Sequence, residues 1–108
     1  MKMIPYGRQW ITKEDISAVV KVLKSDWITQ GPKIAEFERT VAKYCGARYA
    51  VAVSSGTAAL HVACLAAGIK QGDEVITSPV TFVASANCVL YCGGKPVFAD
   101  IEEKTANI

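Results

Sequence analysis

Apolar residues fall first at helical spacing and then in short runs divided by small-residue segments. Ile16, Val19, Val20 and Leu23 recur every three or four positions, which predicts an amphipathic helix of about three turns. Thr12-Lys-Glu-Asp15 has the spacing of a capping box, with aspartate where Glu or Gln is usual, so the helix starts there and ends near Ser25-Asp26. Lys13, Glu14, Lys21 and Lys24 take its water-facing side. Pro32 suits the first turn of a second helix, because its missing N–H costs nothing there. Ile34, Phe37, Val41 and Tyr44 give that helix an apolar stripe, and Gly46 is the left-handed residue expected to close it. Between the two, Trp27-Ile28-Thr29-Gln30 runs into Gly31-Pro32, a strong stop, and a tryptophan there implies a loop anchored by packing.

From residue 48 onward the pattern alternates. Tyr49–Val53 predicts a strand, Thr57–Ala67 a small-residue helix closed by Gly68, and Glu74–Thr77 a strand halted by Ser78-Pro79. Phe82–Cys92 predicts a helix ended by Gly93-Gly94, and Pro96–Asp100 a further strand. This β-α-β-α-β order argues for parallel strands with helical crossovers, the α/β class. The strands are near-continuously apolar, which predicts burial on both faces. The organisation expected is an arm and two helices over 1–47, then the β-α-β-α-β stretch over 48–108.

Composition narrows the function classes. With 108 residues the chain is one domain at most, and its 51% apolar and 20% charged content is ordinary for a globular protein. The net charge of +2 is spread out, with no basic block, which argues against nucleic acid. No apolar run reaches the ~18–20 residues of a membrane span, and the N-terminus lacks the apolar core of a signal peptide, so a cytoplasmic location is expected. Cys88 and Cys92 are four apart on a predicted helix, but neither Cys45 nor Cys64 makes a second close pair and His61 is the sole histidine. A metal site is therefore not expected, and four buried, reduced thiols are.

The candidate chemistry sits at strand ends, where open α/β sheets bind ligands. After Tyr49–Val53 come Ser54-Ser-Gly-Thr57 and at once a helix. Gly56 permits unusual backbone angles and close approach, and Thr57 adds a hydroxyl to its amide. The unpaired first-turn N–H groups and the dipole make the junction ready for a phosphate. A plain turn in which Ser54 or Ser55 caps the helix explains the same residues, and the usual nucleotide fingerprints are absent. Phe82, after the second strand, suits stacking on a planar ring or burial in the core. Asp100 suits the same rim or a local cap.

Taken together, several segments resemble the DegT/DnrJ/EryC/StrS group of pyridoxal-phosphate sugar aminotransferases. They are Ile-Pro-Tyr near the start, Ser-Asp-Trp-Ile-Thr-Gln-Gly-Pro (25–32), Ser-Ser-Gly-Thr-Ala-Ala-Leu (54–60), Gly-Asp-Glu-Val-Ile-Thr (72–77), Pro-Val-Thr-Phe-Val-Ala-Ser-Ala-Asn (79–87) and Pro-Val-Phe-Ala-Asp-Ile (96–101). Within the group the chain looks most like the transaminases of pseudaminic acid synthesis, which aminate a UDP-linked 4-keto-6-deoxy N-acetylhexosamine.

The resemblance implies the N-terminal part of a fold type I large domain, a three-layer α/β/α arrangement with a mostly parallel sheet, incomplete in this chain. It implies pyridoxal 5'-phosphate as cofactor, held at its phosphate by Gly56, Thr57 and Ala58 and stacked on Phe82. It places Tyr6, Asp26, Trp27, Ile28 and Thr29 near the sugar nucleotide. Glutamate as amino donor and a homodimer are likewise implied by the family. The Schiff-base lysine and the aspartate that pairs with the ring nitrogen would lie beyond residue 108, so this piece alone would not transaminate. The family's dehydratases, with histidine for that lysine, share the same first residues. A small self-contained phosphate-binding module is the alternative from another class, and cooperative unfolding would favour it.

Overall fold

In the computed structural model, which describes Met3, Pro5 and residues 7–108, the chain divides into two units, Met1–Ala50 and Val51–Ile108. The first begins its regular structure at the capping box. The Thr12 N–H donates to Asp15 Oδ2 at 2.7 Å, and the Asp15 N–H donates to Thr12 Oγ1 at 3.3 Å. Helix α1 follows over Lys13–Leu23. Pro32 opens helix α2, Pro32–Cys45, and Gly46 closes it in the left-handed region at φ 65°. The loop between them is shaped by one hydroxyl. Ser25 Oγ donates to the Val22 carbonyl at 2.7 Å and accepts from the Trp27 N–H at 3.3 Å. Trp27 lies close to Gly31, where a Cβ would stand 2.8 Å from Trp27 Cβ, but the Trp27 side chain is 62% exposed, so the expected anchoring by a packed tryptophan ring is not found.

The α1 stripe is uncovered: Ile16, Val19 and Leu23 are each more than half exposed. With Ile28 and Phe37, Val19 and Leu23 line an open apolar cleft of about 520 Å³.

The bonds that the Asp15 carboxylate accepts in the α1 box, from the Thr12 N–H and hydroxyl, favour its ionised form. The Thr12 backbone N–H, and then the Thr12 hydroxyl, hold the Asp15 carboxyl below its usual range. A depressed folded pKa contributes stability that is fully present above the unfolded value and is lost as pH falls through the folded one. The Thr12 and Asp15 amide resonances are therefore expected to titrate together below the ordinary aspartate range, and Asp15→Asn to abolish that step. Amide shifts that stay flat down to pH 2 would contradict the box.

The second unit holds helix α3, Gly56–Ala66, strand β1, Glu74–Thr77, helix α4, Ala84–Tyr91, and strand β2, Lys95–Phe98. β1 and β2 pair in parallel, with Glu74 opposite Lys95 and Thr77 opposite Phe98. α4 is the crossover and packs on both strands and on α3. The core sits on its inner face, where Ala84, Cys88 and Val89 are buried. Gly94, at the turn into β2, has no room for a side chain, since a Cβ would meet Ile69 Cγ2 at 2.9 Å and Val89 Cγ1 at 3.0 Å.

Several expectations change. Tyr49–Val53 forms no strand; its apolar side chains Tyr49 and Val51 are about three-quarters exposed. The described sheet consists of β1 and β2, and Tyr49–Val53 is not one of its strands. Burial on both strand faces also fails, with Ile76 and Phe98 more than half exposed. α4 covers the pair, and the described residues supply no further layer that packs on it. The last strand runs Lys95–Phe98, so Asp100 lies beyond it, where its Oδ1 accepts the Ile101 N–H at 2.8 Å. Of the four thiols only Cys88 is buried, and Cys45, the last residue of α2, is exposed.

Candidate functional site

The α3 terminus is built by Ser55. Its backbone is extended, and its hydroxyl accepts the Ala58 N–H at 3.1 Å while its carbonyl accepts the Ala59 N–H at 3.0 Å. Ser55, not Ser54, is thus the cap. Gly56 and Thr57 carry first-turn N–H groups for which a helix has no internal acceptor. The first turn of α3 holds no acidic residue, so the positive end of its dipole is not offset by a carboxylate.

Gly56 corrects one expectation. It is not among the residues with positive φ, so backbone freedom is not what the position requires. A Cβ built on Gly56 meets nothing within 4 Å, so the backbone there is open on that side. That opening belongs to a cleft of about 710 Å³ lined by Gly56, Thr57, Leu60 and Ala63 of α3 together with Phe82 and Ala84. Thr57 is half-buried, whereas Phe82 is 72% exposed. Phe82 also departs from the predicted helix. α4 starts two residues later, at Ala84, and Phe82 belongs to the loop after β1. This frees its ring from the helix surface and leaves it at the cleft.

The structure therefore brings Gly56, Thr57 and Phe82 to one cleft. Ala58 is not in the lining, and its N–H is already given to Ser55. Asp26, Trp27, Ile28 and Thr29 lie in the exposed loop between α1 and α2, in the first unit. Tyr6 lies outside the described residues. The sequence reading missed Leu60, Ala63 and Ala84 as lining residues, although their small or apolar character at helical spacing on the cleft side was a usable signal. It also missed that Cys64 comes beside Cys88. Partial burial pushes the Cys64 thiol up, and a hydrogen bond with Cys88 adds to this. Among the described residues no group of three or more His, Cys, Asp or Glu is placed to hold a metal ion. No helix among them is long and apolar enough to cross a membrane.

An open helix terminus with two free amides, a hydroxyl and an adjacent exposed aromatic fits a phosphorylated planar ring. The amides and hydroxyl suit the dianion and the phenyl face suits the ring.

Known proteins resemble this chain over nearly its whole length. The Bacillus subtilis spore coat polysaccharide biosynthesis protein SpsC is 51% identical over 105 residues, 97% of this chain and 27% of its own length. The UDP-4-amino-4-deoxy-L-arabinose–oxoglutarate aminotransferase of Shewanella sediminis is 46% identical over 94% of this chain and 26% of its own. Among solved structures, a sugar aminotransferase of Streptococcus pneumoniae in its PLP form superposes with a TM-score of 0.84 at 38% identity, over 94% of this chain and 26% of that one. Helicobacter pylori PseC, an aminotransferase involved in the biosynthesis of pseudoaminic acid, gives 0.84 at 37% identity, over 94% and 28%. The fold is thus that of pyridoxal-phosphate-dependent aminotransferases, and the chain spans about a quarter of the length of the curated relatives it matches. Residues 9–108 match one family along nearly the whole chain: it belongs to the DegT/DnrJ/EryC1/StrS aminotransferase family.

Proposed function

We propose that the full-length protein carrying this segment is a pyridoxal-phosphate-dependent aminotransferase. It would transfer an amino group to a UDP-linked 4-keto-6-deoxy sugar in nucleotide-sugar biosynthesis of the pseudaminic acid type. The observation that carries the reading is the cleft joining Gly56 and Thr57 to Phe82. The names of the relatives support the chemistry. One acts with oxoglutarate on a UDP-amino sugar, which supports glutamate as donor, and another serves pseudoaminic acid synthesis. A cytoplasmic homodimer is part of the same reading.

Pyridoxal phosphate, when bound, supplies an aldehyde that carries the amino group and a ring that draws electrons. This segment's residues bind and orient it. The Gly56 and Thr57 amides and the Thr57 hydroxyl would take the phosphate, and the Ala58 amide, already given to Ser55 Oγ, would support the turn behind them. The Phe82 ring takes one face of the pyridine and keeps water from it. Asp26, Trp27, Ile28 and Thr29, with Tyr6, are assigned to the sugar nucleotide. Amination of a UDP-4-keto-6-deoxy-N-acetylhexosamine by the full-length protein with glutamate tests the reading. No product with that substrate, from protein that holds cofactor, would overturn the sugar assignment.

None of this segment's lysines is assigned the covalent role; Lys70 lies at a turn and Lys95 at the start of β2. Free pyridoxal phosphate is therefore expected to bind the 108-residue chain weakly, and borohydride reduction followed by mass measurement to show no dominant adduct. Reproducible labelling of a single lysine would contradict this.

A further inference from the structure

We infer that Ser85 is a positioning residue, holding the Phe82 ring at the cofactor cleft through a hydroxyl clasp with Thr81. The inference rests on the assignment of that cleft to pyridoxal phosphate. The loop between β1 and α4 presents an aromatic ring with little cover: Phe82 is 72% exposed, whereas Ala84, two residues on, is buried at 3%. With so little packing on the ring, its direction depends largely on its backbone.

That backbone is enclosed. The Thr81 and Ser85 hydroxyls meet at 3.1 Å, one donating to the other, and the Ser85 N–H donates to the Phe82 carbonyl at 3.0 Å. A side-chain bond thus ties the residue before Phe82 to the residue three after it, while a main-chain bond fixes Phe82 itself. Upstream, Ser78 Oγ accepts the Val80 N–H at 3.0 Å and shapes the exit from β1. α4 has no side-chain cap bond at its N-cap, Val83; the Ser85 hydroxyl, within its first turn, reaches back to the loop residue Thr81. A stacking group costs less affinity when it is already oriented, so the clasp acts on cofactor binding through preorganisation.

The test uses full-length protein loaded with pyridoxal phosphate, with two readouts: visible circular dichroism per bound cofactor, which reports ring orientation, and the rate of cofactor loss after gel filtration. Ser85→Ala and Thr81→Val are each expected to lower the dichroism and to speed loss about two- to tenfold, the range for one neutral hydrogen bond. Ser85→Thr should restore both, and the double variant should be no worse than either single one, because one bond is removed. Should Ser85→Ala not fold, Thr81→Val at the exposed end of the clasp carries the same test. If both variants match the parent while Phe82→Leu changes the dichroism, the clasp has no positioning role and the inference is wrong. If Phe82→Leu also matches the parent, the stacking assignment falls, and the inference with it.

Discussion

Full-length protein with Gly56→Val is expected to leave gel filtration without its cofactor. The space beside Gly56 is empty in this structure, and a Cβ there touches nothing within 4 Å. The position therefore tolerates a side chain sterically, and the fold should survive. A branched side chain would stand in the cleft beside Gly56 and Thr57, where the phosphate is proposed to approach their amides. Hydrogen bonds to a charged group contribute roughly 1.5–3 kcal/mol each. Displacing a dianion from two of them should therefore weaken binding by more than about a hundredfold. Gly56→Ala, with a single methyl, should cost far less. Equilibrium dialysis of the two variants, with far-ultraviolet circular dichroism to confirm the fold, checks the pair. Equal retention in Gly56→Val and parent would mean that the opening beside Gly56 is not the phosphate's.

Thr57→Ala should have the next largest effect. It removes one hydroxyl donor to the dianion and leaves the α3 amides and the Ser55 cap in place. The loss expected is about tenfold to a hundredfold in cofactor affinity. Phe82→Ala should cost less, since ring stacking adds only ~0.5–1.5 kcal/mol beyond burial. Cofactor dissociation followed by absorbance gives the order. A Thr57→Ala protein that retains cofactor like the parent while Phe82→Ala loses it would make the turn structural only.

What could be read from the sequence followed the range of the interactions. The α1 capping box and the left-handed Gly46 are set by residues within four positions, and both stand as expected. β1 spans Glu74–Thr77 as predicted because Gly72-Asp73 and Ser78-Pro79 punctuate it on both sides. Tyr49–Val53 has strand composition too, but a strand exists only through its neighbour, and nothing local in the sequence supplies one. Phe82 was misassigned to a helix because apolar spacing does not locate a helix start. Val83, with no side-chain cap bond, gave no signal there. The Gly56 opening and the approach of Cys64 to Cys88 come from α3 packing on α4, a contact no short-range pattern encodes.

The Gly56–Thr57 turn is proposed to recognise the cofactor through its phosphate. The direct measurement is the ratio of affinities for pyridoxal phosphate and for pyridoxal, taken on the parent, Thr57→Ala and Phe82→Ala full-length proteins. Thr57→Ala should lower that ratio by about tenfold or more, since that hydroxyl is assigned to the phosphate alone. Phe82→Ala should weaken both ligands and leave the ratio as it was. A ratio unchanged by Thr57→Ala would contradict the assignment.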